Sequence, residues 1–166
     1  AWLIELTPAK DERGAFMRTF CEREFGDHGL ETRFVQHSLS VNARKGTLRG
    51  MHFQRGPHEE VKLVRCQRGA VWDVIIDLRP ASPSYLRWQG FELSTANGMQ
   101  LYVPKGFAHG FQTLSDDCEV FYLISDFYAA NASTGVRHDD PRFAIDWPLP
   151  VSVMSDKDRA WPDFTG

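Results

Sequence analysis

VKLVRCQRGAVWDVIIDLR, residues 61–79, is the stretch that decides the fold. It holds two short apolar runs hinged at Arg68 and Gly69. In the second run Trp72, Val74, Ile76 and Leu78 alternate with Asp73, Ile75 and Asp77, the period-two pattern of a strand. Working outward, similar segments recur between Gly and Pro punctuation. FVQHSLSVN precedes Lys45 and Gly46, TLRGMHFQ (47–54) follows, and RGPHEE is a loop. YLRWQGFELS, MQLYVP, GFQTLS and EVFYLISDFY continue the series. Upstream, WLIEL (2–6) reads as a strand and Arg13 with Gly14 as a turn. CEREFGDHGL (21–30), closed by Gly29, predicts a short helix. Residues 129–135 read as a polar loop, and the Pro-rich, aromatic tail from Arg142 is expected to pack over the rest. Strands spaced this closely favour a sandwich or barrel over βαβ units.

Composition sets the outer limits. A chain of 166 residues suggests one domain, 1–166, and a domain of that size buries about 70% of its unfolded surface. Apolar residues make up 42% and charged residues 25%, an ordinary globular balance. Thirteen glycines and nine prolines suit a turn-rich β protein. A formal charge of −3 points to no nucleic-acid partner. Cys21, Cys66 and Cys118 form no CxxC pair, so reduced thiols in a cytoplasmic protein are expected. No apolar run approaches the ~18 residues of a membrane helix. AWLIELTPAKDERG has neither a basic start nor a cleavage site, so no signal peptide is expected.

Two segments look like related halves. Gly98, five residues, Pro104-Lys105-Gly106, two residues and His109 resemble the second box of the cupin superfamily, with Thr113 where that box has Asn. Gly46, five residues and His52 resemble the first box, but Gln54 replaces its second His and Gly69 comes late. This resemblance implies a mainly β, cupin-type jelly-roll barrel with a few short helices and a pocket inside. It also raises a metal question. His52, Glu59 and His109 are a possible ligand set for Fe(II) or Zn(II). Gln54 is a weak ligand, however, and the Lys62 cation opposes a divalent ion, so no metal is expected.

GTLRGMHFQ, VKLVRCQRGAVWDVIIDLRPASPSY, LYVPKGFAHGFQTLSDDCEVFYLISDFYA, DDPRFAIDWPL and MSDKDRAWP resemble, in order and spacing, the dTDP-4-dehydrorhamnose 3,5-epimerase family. DERGAF fits as well, so the resemblance covers about residues 2–164. It implies an enzyme that inverts carbons flanking the ketone of a nucleoside-diphosphate 4-keto-6-deoxyhexose. Such an enzyme needs a base, an oxyanion stabiliser and an acid on the opposite face. The ketone is the electron sink, so no cofactor is expected. Partners would be a nucleotide sugar and a second copy of the chain, since the family forms homodimers that often exchange N-terminal strands.

The resemblance also implies roles. His52 is the base, an imidazole suited to proton transfer near neutral pH. Asp158 orients it, with Asp156 a competing carboxylate. Tyr122, sharing a strand face with Val120 and Ile124, is the proton donor. Lys62 stands near the sugar C4 oxygen, where an enolate would justify an inward ammonium. Arg49 and His109 line the pocket, and Arg13 and Lys157 are diphosphate candidates. Tyr128 stacks on the nucleotide base, and Gln36 and Ser38 touch the nucleotide or sugar. Asp73 is a supporting partner. Three departures lie on the nucleotide side: Arg18 where many members carry Glu, Ser133-Thr134 in place of an acidic-basic pair, and one extra residue in QHSLSVNARKG. Inversion at C3 alone or C5 alone, or a ketoisomerase on a related sugar nucleotide, therefore remains a second expectation. A non-catalytic or metal-binding cupin is a third.

Overall fold

The expected hinge is a tight connection: Gly69 has φ +79°, and a Cβ there would meet Ser115 Oγ at 2.6 Å. The computed structural model describes residues 1–165. In chain order the elements are β1 (Trp2–Glu5), β2 (Ala9–Asp11), β3 (Gly14–Phe16), α1 (Glu22–Asp27), β4 (Gln36–Asn42), β5 (Leu48–Gln54) and β6 (Lys62–Arg68). They continue with β7 (Ala70–Asp77), β8 (Trp88–Ser94), β9 (Met99–Val103), β10 (Phe107–Thr113), β11 (Cys118–Ile124), β12 (Ser133–Gly135) and α2 (Asp156–Arg159). One antiparallel sheet has the order β1-β9-β6-β11-β4, and a second has β12-β5-β10-β7-β8. The two form the expected cupin-type jelly roll, with β2 and β3 as a separate hairpin.

Two sequence expectations change. The 129–135 segment is not all loop: Ser133, Thr134 and Gly135 pair with Gln54, Phe53 and His52. Only Gly lets the chain lie there, because a Cβ on Gly135 would sit 2.6 Å from both Met51 O and the Trp161 ring. The GFQTLS strand begins earlier, at Phe107.

The middle strands of each sheet are covered on both faces. Between the sheets lie Val64, Cys66, Val71, Ile75, Leu101, Phe111 and Val120. Behind the second sheet Val74, Ile76, Met51 and Ala108 pack beneath Phe143, Ile145, Trp147 and Phe164 of the tail. Behind the first, Leu63, Tyr102 and Leu123 meet Phe25 of α1 with Phe20 and Phe34. This explains why β7 is apolar in both of its alternating sets. Its Val71, Asp73 and Ile75 face inward, and Val74 and Ile76 face the tail. Cys66 and Cys118 are buried, and all three thiols are free. Burial, then the neighbouring Cys118, pushes the Cys66 thiol up to about 11, which leaves it unreactive at neutral pH. Among the described residues no helix is long and apolar enough to cross a membrane.

The contact between β5 and β10 sets the site. His52 pairs with His109 and Arg49 with Phe111, so Gly50 and Met51 together oppose Gly110. This one-residue bulge breaks the alternation of β5. Arg49 and His52, three residues apart, consequently both reach the interior cavity, along with Gln54. The bulge requires backbone contact: a Cβ on Gly110 would lie 2.7 Å from Arg49 O, and one on Gly50 (φ +144°) 2.6 Å from Gly110 Cα. Backbone atoms cannot yield as a flexible side chain would. G110A is expected to cost about 1–3 kcal/mol of stability, read from urea unfolding; an unchanged midpoint would contradict this tight approach.

Candidate active site

The inward faces divide lengthwise. Val64 and Cys66 of β6 lie in the apolar core, and Lys62 on the same face opens into a cavity. On β11, Val120 is core and Tyr122 and Ile124 line the cavity. Gln36, Ser38 and Ser40 of β4, His109 and Phe111 of β10, and Arg49, His52 and Gln54 of β5 complete most of the wall. Tyr128, Ser133 and Lys157 stand at the loops and tail. The volume is about 470 Å³, the size of a small-molecule site.

His52 Nε2 lies 2.7 Å from Asp158 Oδ1, across 106 residues of sequence. Local structure fixes that carboxylate. Ser155 caps α2, its Oγ accepting from the Asp158 N–H at 3.1 Å. The other oxygen, Oδ2, accepts from the Gly50 N–H at 3.3 Å. Burial alone would raise the Asp158 carboxyl, but the His52 hydrogen bond and charge, with the Gly50 N–H, bring it below its ordinary value. An ionised carboxylate only accepts, so Nε2 is the donor of this pair and Nδ1 is the ring nitrogen left over. The geometry thus selects Asp158 over Asp156, which is exposed. Trp161 meets the His52 ring edge-on, with centroids 6.4 Å apart.

A second pair lies deeper. His109 Nε2 is 2.9 and 3.0 Å from the two oxygens of Asp73, which is fully buried. The His109 ring meets Tyr122 edge-on at 6.1 Å. Burial, then the Asp73 charge, holds the Tyr122 phenol well above its usual range, and only Arg49 pulls the other way. The phenol therefore keeps its proton at rest and is a donor to a strong base. Arg49 is itself held by Asn42, whose Oδ1 accepts from Nε at 2.7 Å.

Lys62 and Glu60 form an ion pair at 3.0 Å, each side chain only 12% exposed. Glu60, not Glu59, is the carboxylate that lines the cavity. Gln54 serves as a strut. Its amide nitrogen donates to Glu60 Oε2, His58 O and Phe127 O, and its oxygen accepts from the Ala129 N–H. The cupin ligand positions are thus engaged elsewhere, His52 on Asp158, His109 on Asp73 and Gln54 on the loops. Among the described residues no three metal-ligating side chains converge.

Nine sequence-derived candidates share this cavity: Gln36, Ser38, Arg49, His52, Lys62, His109, Tyr122, Tyr128 and Lys157. Asp158 stands directly behind His52. Lys157 Nζ lies 5.3 Å above the Trp161 ring. Arg13 is not brought in: it sits in the β2–β3 turn, its side chain 85% exposed and paired with Asp11. Arg18 is also outside, paired with Glu24 at 3.2 Å. Sequence reasoning missed Glu60, Ser40 and Asn42. Glu60 lies just ahead of β6, two residues before Lys62, and an acidic side chain that near an inward Lys is the signal the sequence carries.

A sequence profile described as dTDP-4-dehydrorhamnose 3,5-epimerase matches residues 1–166. The chain belongs to that family. It is 46% identical over 164 residues to the dTDP-4-dehydrorhamnose 3,5-epimerase of Methanothermobacter thermautotrophicus, covering 97% of this chain and 88% of that one. The crystal structure of the Bacillus anthracis family enzyme, with TDP and PPi bound, superposes with a TM-score of 0.95 at 41% identity, covering 98% and 93% of the two chains. ChmJ, a 3'-monoepimerase from Streptomyces bikiniensis in complex with dTDP-quinovose, gives 0.89 at 31% identity, covering 97% and 81%.

The phenol provides a direct check of the site's electrostatics. Unfolded tyrosine releases its proton near 10, whereas native Tyr122 holds it higher. The stability from this group is therefore complete below pH 10 and is lost as pH rises toward the native value. A spectral titration of wild type minus Y122F should show no phenolate from Tyr122 at pH 10; phenolate there would contradict the buried environment.

Proposed function

We propose that this chain inverts C3 and C5 of a dTDP-4-keto-6-deoxyhexose, turning dTDP-4-dehydro-6-deoxyglucose into dTDP-4-dehydrorhamnose. The observation that carries this reading is His52, backed by Asp158 at 2.7 Å, in one cavity with Lys62 and the protonated Tyr122. Those are a base, a cation for the enolate and an acid. His52 Nδ1 removes the proton beside the ketone, and Asp158 stabilises the imidazolium. Lys62 meets the negative charge that gathers on the C4 oxygen. Tyr122 returns a proton to the opposite face, inverting the centre. Arg49, the one group that favours the phenolate, eases that step.

In the same reading His109, Gln36 and Ser38 hold the sugar and nucleotide, Tyr128 stacks on the base and Lys157 binds the diphosphate. Tyr128 is 62% exposed at the cavity edge, as a stacking platform requires. In D2O, deuterium is expected at both C3 and C5. H52N should slow both exchanges by at least about 10²-fold. Y122F should still exchange while forming little inverted product, because only the original face can then be re-protonated from His52. The likeness to a 3'-monoepimerase supports the second reading, inversion at C3 alone, and label at C3 only would establish it in place of the first.

The chain is further proposed to act as a homodimer in the cytoplasm. Trp2 and Leu3 of the edge strand β1, Phe16 of the hairpin, and Leu39 and Val41 of the opposite edge strand β4 are large exposed apolar side chains, and contact with a second copy would bury some of them. Arg13 then contributes to the diphosphate site of the other copy, since it stands apart from the cavity of its own. Sedimentation is expected to give twice the 19.0 kDa chain mass; a monomer would remove both statements.

A further inference from the structure

The ion pair on Lys62 is unexpected chemistry for this cavity. The proposed ligand is an anion, and the proposed task of Lys62 is to meet a developing negative charge. A carboxylate 3.0 Å from the ammonium weakens both functions by simple Coulomb opposition. Burying the pair also costs solvation that attraction alone repays poorly. A Glu retained under those terms needs another use, and its second oxygen shows one. Glu60 Oε2 accepts from Gln54 Nε2 at 2.9 Å, and Gln54 is buried and anchored to Phe127 O, His58 O and the Ala129 N–H. The Tyr128 N–H between those anchors donates to Gln36 Oε1 at 2.7 Å. Among the described residues Lys62 has no salt bridge but the one to Glu60. A four-carbon lysine stem is otherwise free to choose among many rotamers.

We propose that Glu60 is a positioning residue: clamped by Gln54, it fixes the Lys62 ammonium at one point of the cavity wall so that the cation is in place when the enolate forms. The inference rests on the epimerase reading above. Fixing the cation beforehand replaces a search during the reaction with a pre-set geometry. Such a group acts on kcat through Lys62 and contributes little to the binding of the whole nucleotide sugar.

The test measures kcat, KM and deuterium exchange for wild type, E60Q, E60D, K62M and E60Q/K62M, with thermal unfolding of each. E60Q keeps the shape and the contact to Gln54 and loses the charge. E60D keeps the charge and is too short to reach Gln54 and Lys62 together. Both are expected to lower kcat about tenfold with KM within about twofold. E60Q/K62M should match K62M alone, because a group that acts only through Lys62 has no effect without it. Wild-type kcat in E60Q and E60D overturns the proposal, as does an additive double variant or a fall in KM-dependent binding with kcat intact. If E60Q fails to fold, E60D alone decides by the same criteria. A wild type that exchanges no deuterium defeats the epimerase reading; one that exchanges normally, with E60Q and E60D equal to it, defeats only this inference.

Discussion

Backbone contact between Gly50 and Gly110 is the constraint on which the site depends. Two strands approach so closely there that no Cβ fits on either residue. The extra residue in β5 then changes which side chains face inward, and it delivers Arg49 and His52 to the same cavity. Without that local break, strict alternation would send one of them outward. The Gly50 N–H serves a second purpose by donating to Asp158. A single irregularity therefore places the imidazole, places a guanidinium and helps hold the carboxylate behind the imidazole.

The cavity works because its charges are sorted by depth. Asp73 is buried and, among the described residues, its side chain pairs with His109 alone, and its field reaches Tyr122. Asp158 is ionised beside His52 near the tail. The phenol of Tyr122 keeps its proton firmly, and the carboxylate of Asp158 is held ionised. Arg49 softens the hold on the phenol.

Much of this was legible in the sequence. Alternation in 70–77 and the spacing of Gly and Pro gave strands and turns, and the boxes around His52 and His109 pointed to a jelly roll. The family resemblance of their motifs named the nine candidates that lie together, and strand parity accounts for only some of them, such as Tyr122 two residues beyond Val120 on β11. Less visible were features set by non-local pairing. β12 is three residues of unremarkable STG, and it becomes a strand only because β5 offers an edge. Arg13 resembles a ligand group in its motif, yet the hairpin holds it away from the cavity within the chain. Glu59 stands at the cupin spacing, yet Glu60 is the carboxylate at the cavity, because the chain ahead of β6 turns it toward Lys62.

One consequence follows from where Asp158 sits. It belongs to a four-residue helix in the tail, whose neighbours are the Thr47–Val153 bridge and the indole of Trp161 lying over Gly135. The barrel strands are complete well before that helix in the order in which a ribosome extends the chain. The imidazole thus exists for a time without the carboxylate that sets its tautomer. The carboxylate is thus the later arrival of the pair, and any loosening of the tail acts on the imidazole's partner before it acts on the imidazole.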